Sequence, residues 1–223
     1  MIGLANYLAF SNTNDNIGRI YQNVTISANE PTYEVVSLTE AKNYLKIDYT
    51  TDDDLIELMI KSIRKQVENE LGGLFIVKRS VTQKQTGGIK QIELLREPVN
   101  SITSVTYYEE FDSTGEVLSS SDYRFSDGFL YHKDGYFKPG RESDGYIIVY
   151  NCGYVDDTGQ TAETSIPILR TAILRILAYV YENREEYATT ISEGGWSVSY
   201  NLIVGNSQLK NLLSPYLKSR AVF

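Results

Sequence analysis

Apolar residues recur along this chain with two different periods, and the points where the period changes divide it. Residues 1–36 are polar and Asn-rich, broken only by short apolar patches (Ile2, Leu4, Tyr7, Leu8 and Phe10, then Val24 and Ile26), and read as an arm. Ser37-Leu38-Thr39-Glu40 then has the spacing of a capping box, with Leu38, Ala41 and Leu45 on one face of the helix it opens. A second helix starts at Thr51-Asp52-Asp53-Asp54, where carboxylates complement the positive helix terminus. Leu55, Ile56, Met59, Ile60, Ile63, Val67 and Leu71 follow at spacings of three and four and form a single apolar stripe. Glu57–Lys61 and Arg64–Glu68 are i,i+4 pairs expected on the opposite, solvated side. Gly72-Gly73 stops the helix.

From Leu74 the period shortens towards two. Phe75–Gln85 and Ile89–Leu95 read as strands joined by a hairpin at Gly87-Gly88. Ile102–Tyr108 is a strand after the Pro98 break, and Tyr123–Phe125 and Phe129–Tyr131 flank the turn Ser126-Asp127-Gly128. Tyr146–Asn151 is the last strand, so the middle of the chain predicts a small antiparallel sheet or barrel. The helical period returns after the polar stretch 156–165. Pro167 suits a first turn, and Ile166, Leu169, Ile173, Leu174, Ile176, Leu177, Val180 and Tyr181 form a broad apolar face. Gln208–Tyr216 predicts a short final helix. The fold class expected is α+β, a helical-bundle core with a small antiparallel sheet or barrel inserted between helices. Its parts are an arm over 1–36, a helical core with a C-terminal tail over 37–73 and 155–223, and a β-rich insertion over 74–154.

Composition narrows the function more than the fold. The chain of 223 residues is 42% hydrophobic and 22% charged, which is the globular range. Its net charge of -8 disfavours tight non-specific binding to nucleic acid, which depends on Lys and Arg neutralising phosphates. No apolar run approaches the roughly 20 residues of a membrane span. The 18 tyrosines fit strand positions that are half buried.

Catalytic chemistry finds little to build on. His132, the one histidine, falls at the end of a hairpin strand and reads as a solvated loop residue. One His and one Cys (Cys152) cannot fill a zinc site, and a lone cysteine makes no internal disulfide. Asp52-Asp53-Asp54 lacks the glycine turn and distant Glu of an EF-hand. No glycine pair belongs to a phosphate-binding loop. The expectation is a protein that is not an enzyme, with no catalytic residue, no cofactor and no metal. Lys78, Arg79, Lys84 and Lys90 cluster on the first hairpin, as a DNA- or partner-facing patch or as edge-protecting lysines in solvent.

Two segments carry a family resemblance when read together. The first is Ser37–Asp48 with Asp52-Asp53-Asp54-Leu55-Ile56 and the helix to Leu71; the second is Ile166-Pro167-Ile168-Leu169-Arg170 running on to Glu185. Leu95–Tyr107, Asp122–Phe125 and Ile148–Tyr154 fit between them in the same order. The chain resembles the tailed-phage head–tail connector family of adaptors and head completion proteins, in particular its longer members with a β-insertion. That resemblance covers roughly Val36 to Glu186, with a weaker echo at Leu212–Tyr216; the arm and the stretch 187–204 lie outside it.

The resemblance implies a structural subunit of a bacteriophage virion at the head–tail junction, assembled in the host cytoplasm. It implies a ring, usually dodecameric, beneath the portal, extending the DNA channel and joining the capsid to the tail. The expected partners are the portal protein, neighbouring copies, a tail-proximal connector or tail protein, and double-stranded DNA in transient passage, with no membrane. In similar adaptors the C-terminal segment docks on the portal. Here the docking candidates are Leu212, Leu213, Pro215, Tyr216, Leu217, Lys218, Arg220 and Phe223, whose basic and apolar mix suits a partner's groove. The alternative is a β-rich tail accessory module that binds a carbohydrate or host surface through its tyrosines.

Overall fold

The computed structural model describes residues 24–111, 113–142, 144–154, 166–183 and 207–216. Among these, 24–29, 80–95 and 99–151 form one compact unit, rich in strands, and 30–79, 96–98 and 152–216 form a second, helical one.

The helical unit begins as its capping box dictates. Ser37 Oγ accepts the Glu40 N–H at 3.2 Å and opens α1, Leu38–Leu45. Lys46 follows in the left-handed region (φ 58°), which turns the chain towards α2, Asp53–Glu70. Ile56, Ile60, Ile63 and Val67 are the buried stripe of α2, and Gly72 and Gly73, both at positive φ, end its run. The third helix, α3 (Ile166–Glu182), adds Leu169, Ala172, Ile173, Ile176, Leu177 and Tyr181 to the same core. The last, α4 (Ser207–Leu213), adds Leu209 and Leu213 and runs into a 3₁₀ turn over Ser214–Tyr216. Two clasps fix the start of α2. Lys42 Nζ donates to Asp53 at 2.6 Å, and Tyr181 Oη donates to Asp52 at 2.5 Å while lying 3.0 Å from Tyr49 Oη.

The β unit holds two antiparallel sheets. Its strands are β1 (Thr25–Ala28), β2 (Arg79–Gln85), β3 (Gln91–Glu93), β4 (Val99–Tyr107), β5 (Glu116–Val117), β6 (Tyr123–Ser126), β7 (Phe129–His132) and β8 (Tyr146–Cys152). One sheet runs β1-β2-β8-β4-β5 and the other β3-β7-β6. The β6–β7 hairpin turns on Asp127 (φ 53°) and Gly128 (φ 85°), the paired positive angles of the tight turn that Asp-Gly favours. Val81, Ile92, Leu94, Val105, Leu130, Phe137, Tyr146, Ile148 and Tyr150 are buried. Phe137 meets Tyr146 edge-on at 5.2 Å between ring centroids.

Three expectations are corrected. The helical-bundle core with a small sheet or barrel inserted between helices is overturned. Eight strands in two sheets stand beside four helices among the described residues, and β1 precedes α1, so the sheets are not contained between helices. The hairpin at Gly87-Gly88 does not form, because β2 and β3 lie in different sheets. Instead Gly88 N–H donates to the Phe137 and Lys138 carbonyls, and a Cβ at Gly87 would fall 1.9 Å from Lys138 O. Finally, the Arg64–Glu68 pair is buried rather than solvated.

Polar residues are buried inside β2. Gln83 is fully buried: its Nε2 donates to Glu93 O (2.7 Å) and Gln85 Oε1 (2.8 Å), and its Oε1 accepts from Leu95 N–H (3.1 Å) and Tyr150 Oη (3.2 Å). One side chain thus ties β2 to β8 and to the segment after β3. Gln83→Leu keeps the volume and removes every one of these bonds, so we expect a loss of about 2–3 kcal/mol. The urea unfolding midpoint checks this; an unchanged midpoint would show that the amide contributes nothing.

Candidate functional site

The lone cysteine and the lone histidine are both taken up by the fold. Cys152 is fully buried, and burial pushes its thiol up to about 12, far from reactivity at neutral pH. His132, expected as a solvated loop residue, is instead the last residue of β7 with its side chain 11% exposed; its Nδ1 accepts the Asp134 N–H at 3.2 Å and its ring packs on Phe137 at 5.5 Å. No cluster of three potential metal ligands occurs among the described residues. No helix there is long and apolar enough to cross a membrane.

The helical unit instead concentrates its charge in a closed ionic cluster. The Arg64 side chain, 1% exposed, places Nε 2.6 Å from Glu34 and Nη1 2.9 Å from Glu68, with Nη2 3.5 Å from Glu30. Glu68 Oε1 also accepts from Arg79 Nη2 (2.5 Å) and from the Ile76 N–H (2.9 Å). Lys65 closes the cluster 2.8 Å from Glu30, and its hydrogen bond holds the Glu30 carboxyl below the usual carboxylate range. Three cations therefore face three carboxylates. The cluster joins the chain before α1, the middle of α2 and the segment entering β2. Arg79 also lies 4.1 Å from the Phe75 ring centroid, with Arg96 at 5.5 Å from the same ring.

This arrangement separates the four basic candidates. Arg79 is engaged by Glu68, Val77 O and Phe75. Lys78 lies beside it in the helical unit, while Lys84 and Lys90 belong to the β unit, Lys84 opposite Thr25 in the β1–β2 pairing. The C-terminal candidates also divide. Leu213 is buried in the helical core, and Leu212 and Tyr216 pack against it, Tyr216 edge-on to Tyr154 at 6.2 Å. Pro215 is exposed, and Leu217, Lys218, Arg220 and Phe223 lie outside the described residues.

What remains for recognition is apolar surface. Leu55 and Leu58 on α2, Ile168 and Tyr179 on α3, and Tyr44 and Tyr49 near α1 are exposed in the helical unit; Phe111, Val117 and Tyr136 are exposed in the β unit. Leu55 was legible as a member of the apolar α2 stripe, but not as outward-facing, and Leu58 fell outside that stripe. Phe111 gave no signal beyond its isolation among carboxylates.

With that geometry in hand, the chain can be set beside known proteins. A family model described as head completion protein matches residues 34–214. No curated protein matches by sequence. Three solved structures share the fold. One is the neck of an empty GTA (gene transfer agent) particle computed with C6 symmetry, at TM-score 0.64 and 12% identity over 88% of this chain and 97% of that one. A second is the virion of a native gene transfer agent particle, at 0.63 and 14% over 87% and 97%. The third is the neck of a native particle computed with C12 symmetry, at 0.60 and 12% over 88% and 97%. At such identities the likeness speaks for the fold alone.

The ionic cluster makes a strong prediction about stability. Arg64→Met leaves Glu34 and Glu68 without their shared cation, and we expect a loss of about 3–5 kcal/mol. Arg64→Lys should recover only part of it, since one ammonium cannot reproduce the guanidinium fork. Chemical denaturation of the three proteins decides; equal stability of the Lys variant and the parent would mean that charge alone, not the fork, holds the cluster.

Proposed function

The chain belongs to the head completion protein family, structural proteins of the head–tail junction, and from that premise we propose that it is an adaptor forming a ring beneath the portal. In this reading the ring extends the DNA channel and joins the capsid to the tail. Its partners are the portal protein, neighbouring copies of itself and a tail-proximal connector or tail protein. The observation that carries the reading is the family match, which runs from the segment before α1 to the 3₁₀ turn after α4 and so takes in both compact units.

Physical features support it. A net charge of -8 lets duplex DNA pass a lumen without tight phosphate contacts. Exposed apolar residues on α2 and α3, among them Leu58 at 61% exposure, offer contact area that a free subunit leaves unused. The segment after Tyr216 carries Lys218, Arg220 and Phe223, the chemistry of a docking tail.

The packing of α4 dictates where to cut. Leu209 and Leu213 belong to the core, so removing α4 would damage the subunit as well as any docking site. Ending the chain after Tyr216 spares them. We expect that truncate to keep its unfolding midpoint and to lose portal affinity by at least about tenfold, the effect of deleting a binding hot spot. Native mass spectrometry with the portal measures both the affinity and the copy number. A truncate that binds the portal as tightly as the full chain removes the tail from the docking site.

A further inference from the structure

The β unit carries two exposed features of opposite chemistry. One is the turn between β4 and β5. Ser113 closes it: its N–H donates to Glu110 O at 3.2 Å, and its hydroxyl accepts the Glu110 N–H at 3.1 Å while donating to Glu110 O at 2.7 Å. Phe111 stands in this turn with 86% of its surface exposed, beside the exposed carboxylates of Glu109 and Glu110. The base of the turn is braced. Tyr108 N–H donates to Gly145 O at 2.8 Å, Arg141 N–H donates to Tyr108 O at 3.2 Å, and the Arg141 guanidinium lies 4.0 Å from the Tyr108 ring centroid. Gly115 leaves room for that ring, which a Cβ would meet at 2.5 Å. The bonds between Glu110 and Ser113 restrain the backbone beside Phe111, so less backbone freedom is lost when the ring is covered.

The other feature is the outer face of the β3-β7-β6 sheet. Gln91, Tyr131 and Arg124 stand opposite one another in one row, and Glu93, Phe129 and Ser126 in a second row on the same face. Ile92 and Leu130, between the rows, point the other way and are buried. The Phe129 and Tyr131 rings lie 6.4 Å apart, and the exposed Arg124 carries its guanidinium 5.7 Å from the Tyr131 centroid. Lys90 lies exposed just before β3; Lys133, just after β7, is paired with Asp122. Two carboxylates share the face: Glu93, in the row away from Arg124, and Asp122, which continues β6 and holds Lys133 at 2.6 Å.

We propose that these are the two halves of one contact between copies of this chain: the Glu109-Glu110-Phe111 turn of one copy seats on the Arg124–Tyr131–Phe129 face of the next. The match is in sign, carboxylates against the Arg124 guanidinium, and in character, an aromatic ring against two aromatic rings. The two patches are different, so the contact is heterologous: each copy offers one of each, and a series of copies forms a ring where the rotation between them closes. The inference rests on the ring reading and names the surfaces that would close it.

Photo-crosslinking tests it on the full chain. Benzoylphenylalanine replaces Phe111, and isotopically light and heavy chains are mixed on portal-bearing heads. The expected result is a light–heavy link from position 111 to the peptide spanning 124–131. Glu109→Lys with Glu110→Lys should lower its yield about tenfold, as loss of a complementary charged pair does, and Arg124→Glu should restore it. Links confined to one chain, or running only to portal or tail proteins, overturn the proposal. Imaging of the same heads separates the two claims. A ring without the link defeats this contact alone, whereas no assembly of copies defeats the ring reading and this inference with it.

Discussion

The helical unit depends on keeping the Arg64 guanidinium charged in a place where water does not reach it. An isolated buried cation would cost several kcal/mol, so Glu34 and Glu68 must be delivered to it with the right orientation. That requirement reaches well beyond α2. Glu34 comes from the chain before α1, and Glu68 is itself held by Arg79 and by the Ile76 backbone. Three stretches distant in sequence are therefore locked in one register. Apolar packing of Ile60, Ile63 and Val67 could tolerate a slip of the segments around them; the forked ionic contacts cannot. Such clusters are weak evidence for net stability, and their value here lies in selecting one arrangement.

The β unit solves a similar problem with neutral groups. Gln83 and Gln85 occupy buried positions in β2, where the alternation of the strand calls for apolar side chains. The Gln83 amide takes the place of a backbone partner for Leu95 N–H and Glu93 O. This lets the chain leave one sheet and enter the other between β2 and β3 without stranding those groups. Gly87 contributes by admitting the Lys138 carbonyl where a side chain would stand.

These two devices mark the limits of what the sequence made legible. Periodicity located α1, α2 and α3, and the Ser37 cap and the Asp127-Gly128 turn form as their residue types require. The i,i+4 spacing of Arg64 and Glu68 is the same on either face of a helix; only Glu34, 30 residues from Arg64, and Arg79, 11 residues from Glu68, reveal which face it is on. The Gly87-Gly88 hairpin was expected because polar glutamines and a glycine pair look like a strand running into a turn, while the decisive bonds to Phe137 and Lys138 are non-local. The short β1 lay in a segment whose apolar residues were too sparse to show alternation. Its pairing, Thr25 with Lys84 through Ala28 with Val81, is again long-range. Of the candidate interface residues, the exposure of Phe111 and the burial of Leu213 were invisible to pattern alone.

The last helix joins the core to the proposed docking tail. In α4, Leu209 and Leu213 face inward, and Tyr216 rests on Tyr154 at the end of the turn that follows. The chain that continues from Tyr216 thus leaves a fixed point, not a frayed end. A docking segment that starts from a fixed point gives up less freedom on binding than one on a flexible tether. The same geometry has a cost: any substitution that loosens Leu209 or Leu213 would also release the origin of the segment beyond. In this subunit, portal affinity and subunit stability would then move together for changes within α4 and separate only for changes after Tyr216.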